Sequence, residues 1–265
     1  MARDDYDPRE WGAECDRCIL RKLRTGKPVG PEFNHGATVG LLGEAPGSDE
    51  VREGRPFVGA SGLEAGRNLS DNGVWRNQVG WHNVVACQPP GNSLYGVLQQ
   101  LRKINKARAN DSLPPQPTPM ECCRPRLVAE MARYPHILVL GATALHAATN
   151  VRKGILDTRG ALFEGAPFGQ DAKIMPTVHP AFVARAKRWR VVLRDDIGRA
   201  FRWFRDELRW VEPHIYYTPT AQQLRTFLGT GERYWISDVE TDALECLTAK
   251  LRCVAISDGV FRDKP

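Results

Sequence analysis

The chain has 265 residues, 42% of them hydrophobic, which is enough for one large domain or for a medium domain plus a fragment. No apolar run reaches the roughly 20 residues of a membrane helix, and residues 1–18 contain no apolar signal segment. We therefore expect a cytoplasmic protein without a membrane partner, and the net charge of +6 is too modest to exclude any other class of soluble protein.

Short apolar runs alternate with amphipathic segments over most of the chain. Strands are predicted at residues 37–43, 79–87, 136–141 and 173–180, and helices at 62–73, 142–150 and 184–210. This alternation favours the α/β class, as a three-layer α/β/α sandwich on a short parallel central sheet. Ligands of such sheets bind beyond the carboxyl ends of the strands, where GEAPG, CQPPGN, GAT and HPA lie.

The predicted helix over 184–210 is rich in cations. They are Arg185, Lys187, Arg188, Arg190, Arg194, Arg199, Arg202 and Arg205. The helix could present a solvated face whose cations pair with Asp195, Asp196, Asp206 and Glu207. Alternatively, it could present a surface that meets phosphates.

Two regions depart from the alternation. Residues 92–120 combine a short basic helix with the proline-rich extended loop LPPQPTP, and we interpret them as an insertion within a domain spanning 1–210. Residues 211–265 form a separate segment, with a linker or edge strand, a short helix from about 220, and then a strand, a turn and a second strand.

Seven cysteines in a cytoplasmic chain point to metal binding or chemistry rather than to disulfides. Cys15 and Cys18 form a C-x-x-C pair in a charged setting that favours a metal, although any single cysteine can be a small buried hydrophobe. Two further thiols would complete a four-thiolate site. The spacing does not separate zinc from an iron–sulfur cluster.

Six motifs in the expected order resemble those of the iron–sulfur uracil-DNA glycosylases, families four and five. They are C-x-x-C at 15–18, GEAPG with GRPFVG-x-x-G at 43–62, N-x-x-x-C-x-P-P at 83–90, C-R-P-x-L at 123–127, LGATA at 140–144 and HPA at 179–181. GEAPG favours family four. The resemblance implies a monomeric DNA repair hydrolase of a prokaryote, or of a virus in a prokaryotic host, that removes uracil from DNA and leaves an abasic site.

The resemblance also implies residue roles. Cys15, Cys18, Cys87 and Cys123 match the ligands of a structural [4Fe–4S] cluster, which leaves Cys122 as a spare thiol. Glu44 would orient or deprotonate the attacking water, or balance the positive sugar, and His179 would donate to uracil O2 as the glycosidic bond breaks. Gly43, Ala45 and Gly47 would let the backbone approach the base and the phosphate closely.

Base recognition is expected from two further side chains. The Asn83 carboxamide can donate to uracil O4 and accept from N3–H, and cytosine reverses that pattern. Phe57 can stack on a flipped base, which recovers about 1–3 kcal/mol. The plainer alternatives are strand-end capping for Asn83 and core packing for Phe57. Asn105 stands where a covalent, uracil-trapping branch of the superfamily has a nucleophilic histidine, so we expect no covalent capture.

The segment ISDVETDALECLTAKLRCVAIS resembles the first strands of DEDD-type 3′–5′ exonuclease domains of family A DNA polymerases, which are RNase H-like. The resemblance implies that Asp238 and Glu240, on one side of a strand, hold Mg or Mn in an incomplete site. It suggests the replication machinery as a partner. An alternative function is therefore a non-catalytic iron–sulfur module that binds uracil or DNA and is tethered to a polymerase or exonuclease.

Overall fold

The computed structural model describes residues 6–149, 151, 153–208, 220–228, 236–241 and 251–257. The chain forms two compact units, Met1–Leu208 and Arg209–Pro265. Within the described ranges, no helix is both long and apolar enough to cross a membrane.

A five-stranded sheet lies at the centre of the first unit. Its strands are β1 (Val39–Gly43), β2 (Val79–Asn83), β3 (His136–Leu140), β4 (Phe163–Gly165) and β5 (Ala172–Thr177), in the spatial order β2-β1-β3-β5-β4. Four strands are parallel, as predicted, whereas β4 was not predicted and pairs antiparallel with β5 at the edge. Gly43 pairs with Asn83, and Leu140 with Thr177, so the parallel strands end at one edge of the sheet.

Nine α-helices are described in the first unit. They are α1 (Leu20–Leu23), α2 (Ser48–Glu53), α3 (Ala60–Ser70), α4 (Leu94–Asn110), α5 (Pro119–Met131), α6 (Ala142–Thr149), α7 (Ile155–Thr158), α8 (Pro180–Arg185) and α9 (Arg190–Phe204). Short 3-10 turns at Pro8–Trp11, Cys15–Arg17, Arg76–Gln78, Pro90–Asn92 and Lys187–Trp189 connect them.

Helices cover both faces of the sheet. Side chains alternate between the two faces along β1 and β3. Leu42 and Val139 lie in a core shared with α4, α5 and α6. Leu41 and Leu138 lie in a core shared with α3, α8 and α9. The predicted three-layer α/β/α arrangement is therefore present.

Two predicted elements are shorter than expected. The second strand ends at Asn83 instead of residue 87. The arginine-rich helix is broken, because Ala186 leaves helical geometry (φ −129°, ψ 73°) and the next turn folds Trp189 back onto Phe182, with 5.4 Å between ring centroids.

The arginine-rich helix pairs only partly with its own acids. Arg194 pairs with Asp195, but the buried Asp196 accepts from Arg159, the residue that follows α7. Arg190 in turn pairs with the buried Glu64.

The described residues of the second unit form α10 (Ala221–Leu228) and an antiparallel pair of strands, β6 (Ile236–Thr241) and β7 (Leu251–Ser257), which confirms the predicted helix and strands. Asp238 pairs with Ala255 and Glu240 with Cys253. The side chains of both acids, Cys246 and nearly all of the predicted linker lie outside the described residues. The RNase H-like assignment stays a prediction.

Candidate active site and cysteine cavity

Three of the predicted site residues meet where β1 and β2 end. A Cβ atom on Gly43 would lie 2.5 Å from Cζ of Phe57 and 2.8 Å from Oδ1 of Asn83. Both distances are shorter than side chains allow, so glycine is required for the ring and the carboxamide to approach the β1 backbone. The sequence placed these residues at one rim, and the structure brings them into direct contact.

The Asn83 side chain is oriented by its strand and available to a ligand. The residue is 7% exposed, and its carboxamide makes no hydrogen bond with any residue that the structure describes. Its backbone oxygen accepts from Nη2 of Arg126 at 2.7 Å. Both its donor and its acceptor groups can therefore form hydrogen bonds with a ligand.

Phe57 combines a strained backbone with a buried ring. Its φ of 54° lies in the left-handed region that few residues other than glycine adopt. Arg76 holds this conformation by donating from Nη1 to the Phe57 carbonyl at 2.7 Å. The ring lies 5.1 Å from Trp81 within the core, so Phe57 has the packing role that was weighed as its alternative, and it also contacts the site. Strain of this kind concentrates at functional sites.

Residues 43–62, here termed the pocket wall, are held together by a residue that the sequence did not indicate. The Glu50 carboxylate is 7% exposed and accepts from the backbone N–H groups of Gly47 (3.0 Å), Val58 (3.0 Å) and Gly59 (2.8 Å). It therefore joins the GEAPG turn to the RPFVG turn. Gly47 leaves room for this contact, since a Cβ there would lie 2.8 Å from Oε2 of Glu50.

The turn after β3 contacts both predicted catalytic residues. Thr143 donates its hydroxyl to Oε2 of Glu44 at 2.6 Å, and Glu44 is half-buried. A Cβ on Gly141 would lie 3.0 Å from Cβ of His179. LGATA was recognised in the sequence as a motif without a role, and here it carries the contact that orients Glu44. Ala45 is half-buried and packs on the core beside α5 and α6.

His179 caps α8, and this contact defines its tautomer. Its Nδ1 accepts from the backbone N–H of Ala181 at 3.1 Å, so Nδ1 carries no proton. Burial, aided by the charge of Arg185, lowers the pKa of His179 to about 4. The imidazole is therefore neutral at pH 7, with its proton on Nε2.

Five thiols line a cavity of about 330 Å³, here termed the cysteine cavity; they belong to Cys15, Cys18, Cys87, Cys122 and Cys123. Burial raises the pKa of Cys15 and Cys18, and it raises the pKa of Cys87 and of Cys122 to about 12. All four thiols predicted as ligands therefore line one cavity, together with Cys122.

The rim of the cysteine cavity is basic. Arg9, Arg21, Arg24 and Lys27 line it, and Nη1 of Arg24 is buried without a hydrogen-bond partner among the described residues. Across the same ranges, no three Cys, His, Asp or Glu side chains are placed to hold a metal ion between them.

Comparison with known proteins bears directly on this arrangement. The profile of the uracil DNA glycosylase superfamily matches residues 31–209, which include both core layers and all of the pocket wall. The chain belongs to this superfamily. It is 32% identical to a type-4 uracil-DNA glycosylase of Pyrobaculum aerophilum over 71% of this chain and 88% of that protein.

Two further relatives are similar. A type-4 uracil-DNA glycosylase of Thermotoga maritima is 30% identical over 73% of this chain and 91% of its own length, and one of Archaeoglobus fulgidus is 29% identical over 71% and 85%. The superfamily match begins after Cys15 and Cys18, so the first two thiols of the cysteine cavity lie outside it.

A buried ionic network underlies the Asn83 end of the pocket in this superfamily member. Arg126 and Glu130 are at most 1% exposed and pair at 2.8 Å. Nη2 of Arg126 donates to the backbone carbonyls of Asn83 and Val84. Glu130 also accepts from the hydroxyl of Tyr6 at 2.6 Å. In the sequence these charges look like a solvated helix face, because only the tertiary structure shows that α5 is buried there.

Proposed function

We propose that the chain hydrolyses the N-glycosidic bond of uracil in DNA and leaves an abasic site. The observation that carries the proposal is the contact of Gly43, Phe57 and Asn83 at the strand ends, with Glu44 and the neutral His179 on the neighbouring ends. Superfamily membership and the type-4 relatives support the same reaction.

Asn83 would select the base. Its carboxamide donates one hydrogen bond to uracil O4 and accepts one from N3–H, whereas cytosine presents an acceptor and a donor in the opposite order. The Arg126 contact to the backbone of Asn83 supports this role, because a carboxamide discriminates only when it cannot move.

Phe57 and the small residues would form the surface that receives the flipped base. Extruding a nucleotide costs a few kcal/mol, and stacking on an aromatic ring returns about 1–3 kcal/mol. Gly43, Ala45 and Gly47 would let the backbone approach the base and its phosphate. The strained φ of Phe57, held by Arg76, supports a pocket that is formed before the substrate arrives.

His179 and Glu44 would carry the chemistry. Negative charge builds on uracil O2 as the glycosidic bond breaks. A neutral imidazole with its proton on Nε2 would stabilise that charge by donating a hydrogen bond to O2. Glu44, fixed by Thr143, would orient or deprotonate the water, or balance the oxocarbenium-like sugar. The donor and the carboxylate thus act on opposite ends of the breaking bond.

An excision assay tests the proposal. Single strands with one uracil, one hypoxanthine or no damaged base, and duplexes with a T·G mismatch, are incubated with the protein, and the free base is measured. We expect release of uracil. Binding of uracil-containing DNA without release would contradict the enzymatic function and support the non-catalytic alternative.

We also propose that Cys15, Cys18, Cys87 and Cys123 hold a [4Fe–4S] cluster. The proposal is supported by the thiols that line the cavity, which are the ligands of iron–sulfur clusters, and by the cations at its rim, which suit the negative charge of a thiolate-bound cluster. The unpartnered Nη1 of Arg24 could donate to a cluster sulfur. When bound, the cluster would act structurally, by joining the N-terminal segment and the end of the inserted region to the sheet.

The cluster has its own test, independent of activity. We expect a brown protein with absorbance at roughly 400 nm and about four irons per chain. A colourless protein with one zinc per chain would contradict the proposal.

Asp238 and Glu240 remain a predicted divalent-metal pair. Their support is the strand β6, on which residues two apart share a side. Manganese binding measured by calorimetry on the full chain and on Asp238→Asn tests it, and equal binding by both would contradict it.

A further inference from the structure

The inserted helix α4 is a rigid element of the fold. Ser93 caps it by accepting from the N–H of Gly96 at 3.1 Å, and Leu94, Val97 and Leu101 form a buried stripe at helical spacing. Instead of the short helix that the sequence suggested, it has 17 residues. The first two apolar residues join the core beside α5 and α6, so the helix is docked along its first half.

The returning chain is fixed to the second half of α4. The Asn105 carboxamide makes two hydrogen bonds with the backbone of Gln116, at 2.8 and 2.9 Å, and Arg108 donates to the carbonyl of Pro114 at 2.7 Å. Asn105 is thus engaged in holding the proline-rich segment, which gives a physical reason for its presence. The helix therefore keeps its orientation relative to the sheet.

The outer face of α4 is cationic and uncompensated. Arg102, Lys103 and Lys106 are exposed on it, and the helix contains no aspartate or glutamate. None of the three forms an ion pair within the part of the chain that the structure describes. Like charges three and four residues apart destabilise a helix by about 0.2–0.5 kcal/mol per pair. A polyanion that binds this face would remove that repulsion.

The helix begins at the pocket. Gln88 donates to Ser48 at 2.9 Å and to Asn92 at 2.6 Å, and Oδ1 of Asn92 would lie 3.9 Å from a Cβ on Gly47. Leu94 opens α4 two residues later. The first turn of α4 is thereby tied to the pocket wall, and Tyr95 on that turn is 70% exposed.

We propose that the cationic face of α4 binds the phosphates of the uracil-containing strand, on one side of the flipped nucleotide. The inference rests on the proposed function. At 1.5 Å per residue, Arg102 to Lys106 lie about 12–18 Å along the axis from Leu94. A single strand advances about 3.4 Å per nucleotide when stacked and roughly twice that when extended, so this reach corresponds to phosphates about two to five nucleotides from the uracil.

The test replaces Arg102, Lys103 and Lys106 together by glutamine and measures binding to single-stranded DNA as a function of salt. Each lost phosphate contact lowers the slope of log K against log salt by about 0.7, so the triple variant should lose about two units of slope and bind about tenfold or more weakly at about 0.1 M salt. Saturating turnover should stay at the parental level. An unchanged slope would overturn the proposal.

Two comparisons make the test specific. A strand of about three nucleotides with central uracil cannot reach the proposed contacts, so the parent and the triple variant should bind and cleave it equally. A control in which the scattered exposed cations Lys22, Lys153 and Arg225 become glutamine has the same change in net charge and should retain the parental slope. Equal losses on the short strand, or in the control, would also overturn the proposal.

The measurements distinguish a failure of DNA binding by α4 from a failure of the proposed glycosylase function. If the parent releases no uracil from either strand, the proposed function fails, while the salt slope still decides whether α4 binds DNA. If the triple variant does not reach the parental melting temperature, Arg102→Gln and Lys106→Gln are measured singly. Each single variant should lose about 0.7 units of slope, and no loss in either would overturn the proposal.

Discussion

The pocket wall and the cysteine cavity are both built from turns and short helices, but different interactions hold them. In the wall, buried charges find their partners within the protein: Glu50 accepts from three backbone N–H groups, and Arg76 donates to the carbonyls of Pro56 and Phe57. In the cavity, burial raises the pKa of the thiols, and Nη1 of Arg24 has no partner among the described residues.

This difference indicates two kinds of order. The wall is preorganised, because its hydrogen bonds are complete before any substrate is present. With the proposed cluster bound, the cavity would gain further order, because a positively charged centre makes thiolates favourable there. Variants of the two regions should accordingly fail in different ways.

The largest expected effect separates the two adjacent thiols of the cavity. Cys123→Ser should lose the iron and the absorbance at roughly 400 nm, and should make the segment before β1 sensitive to protease. Cys122→Ser should keep iron content and colour, since Cys123 is the proposed ligand of the pair. Iron analysis of both variants checks this, and the opposite result would assign Cys122 as the ligand.

The next effect concerns chemistry in the pocket. Glu44→Gln should lower kcat by about 10²–10⁴ while leaving DNA affinity and iron content near the parental values, because the carboxylate acts on the water or the sugar and holds no part of the wall. Thr143→Val should lower kcat by less than Glu44→Gln does, because Glu44 keeps its charge and loses only the hydrogen bond that orients it. An equal loss of affinity and turnover in Glu44→Gln would contradict the role.

His179 should set the acidic limit of activity. Its neutral form is the donor, and burial lowers its pKa to about 4, so kcat should be flat from pH 8 to about pH 6 and fall as pH passes through about 4. The pKa of His179 is about 4 in the folded state and about 6.5 in the unfolded state, so between these two values the folded state binds fewer protons. Its stabilising contribution is therefore complete above about 6.5 and lost as pH falls to about 4. A half-point of activity near pH 6.5 would contradict the lowered pKa of His179.

The sequence predicted those parts of the site that follow local rules. Strands could be located from apolar runs, and the residues immediately after them from the geometry of parallel sheets, which is how Glu44 and His179 were placed at one rim. Asn83 was instead identified through the family resemblance. The C-x-x-C pair in a charged setting likewise indicated a metal site. Such inferences need no knowledge of which helix packs where.

Other features depend on tertiary contacts and could not be predicted. Glu50 lies in the polar segment SDEVRE, and its partners are backbone groups of a turn that had no predicted position. Cys122 and Cys123 are adjacent on a helix, so spacing cannot decide between them. The break after Arg185 contains neither glycine nor proline, and only the packing of Trp189 on Phe182 accounts for it.

The smallest predicted effect tests whether Glu50 preorganises the wall. Glu50→Gln keeps the size of the side chain but replaces an acceptor oxygen by an NH₂ group that faces backbone donors, so at least one buried N–H loses its partner, at about 1–3 kcal/mol of unfolding free energy. Glu53→Gln, exposed on the same helix, should change stability by less than about 0.5 kcal/mol. If the wall is preorganised by Glu50, the first variant should also raise KM, whereas iron content, which reports on the cavity, should stay constant. A stability loss with unchanged KM would mean that Glu50 supports the fold without shaping the pocket.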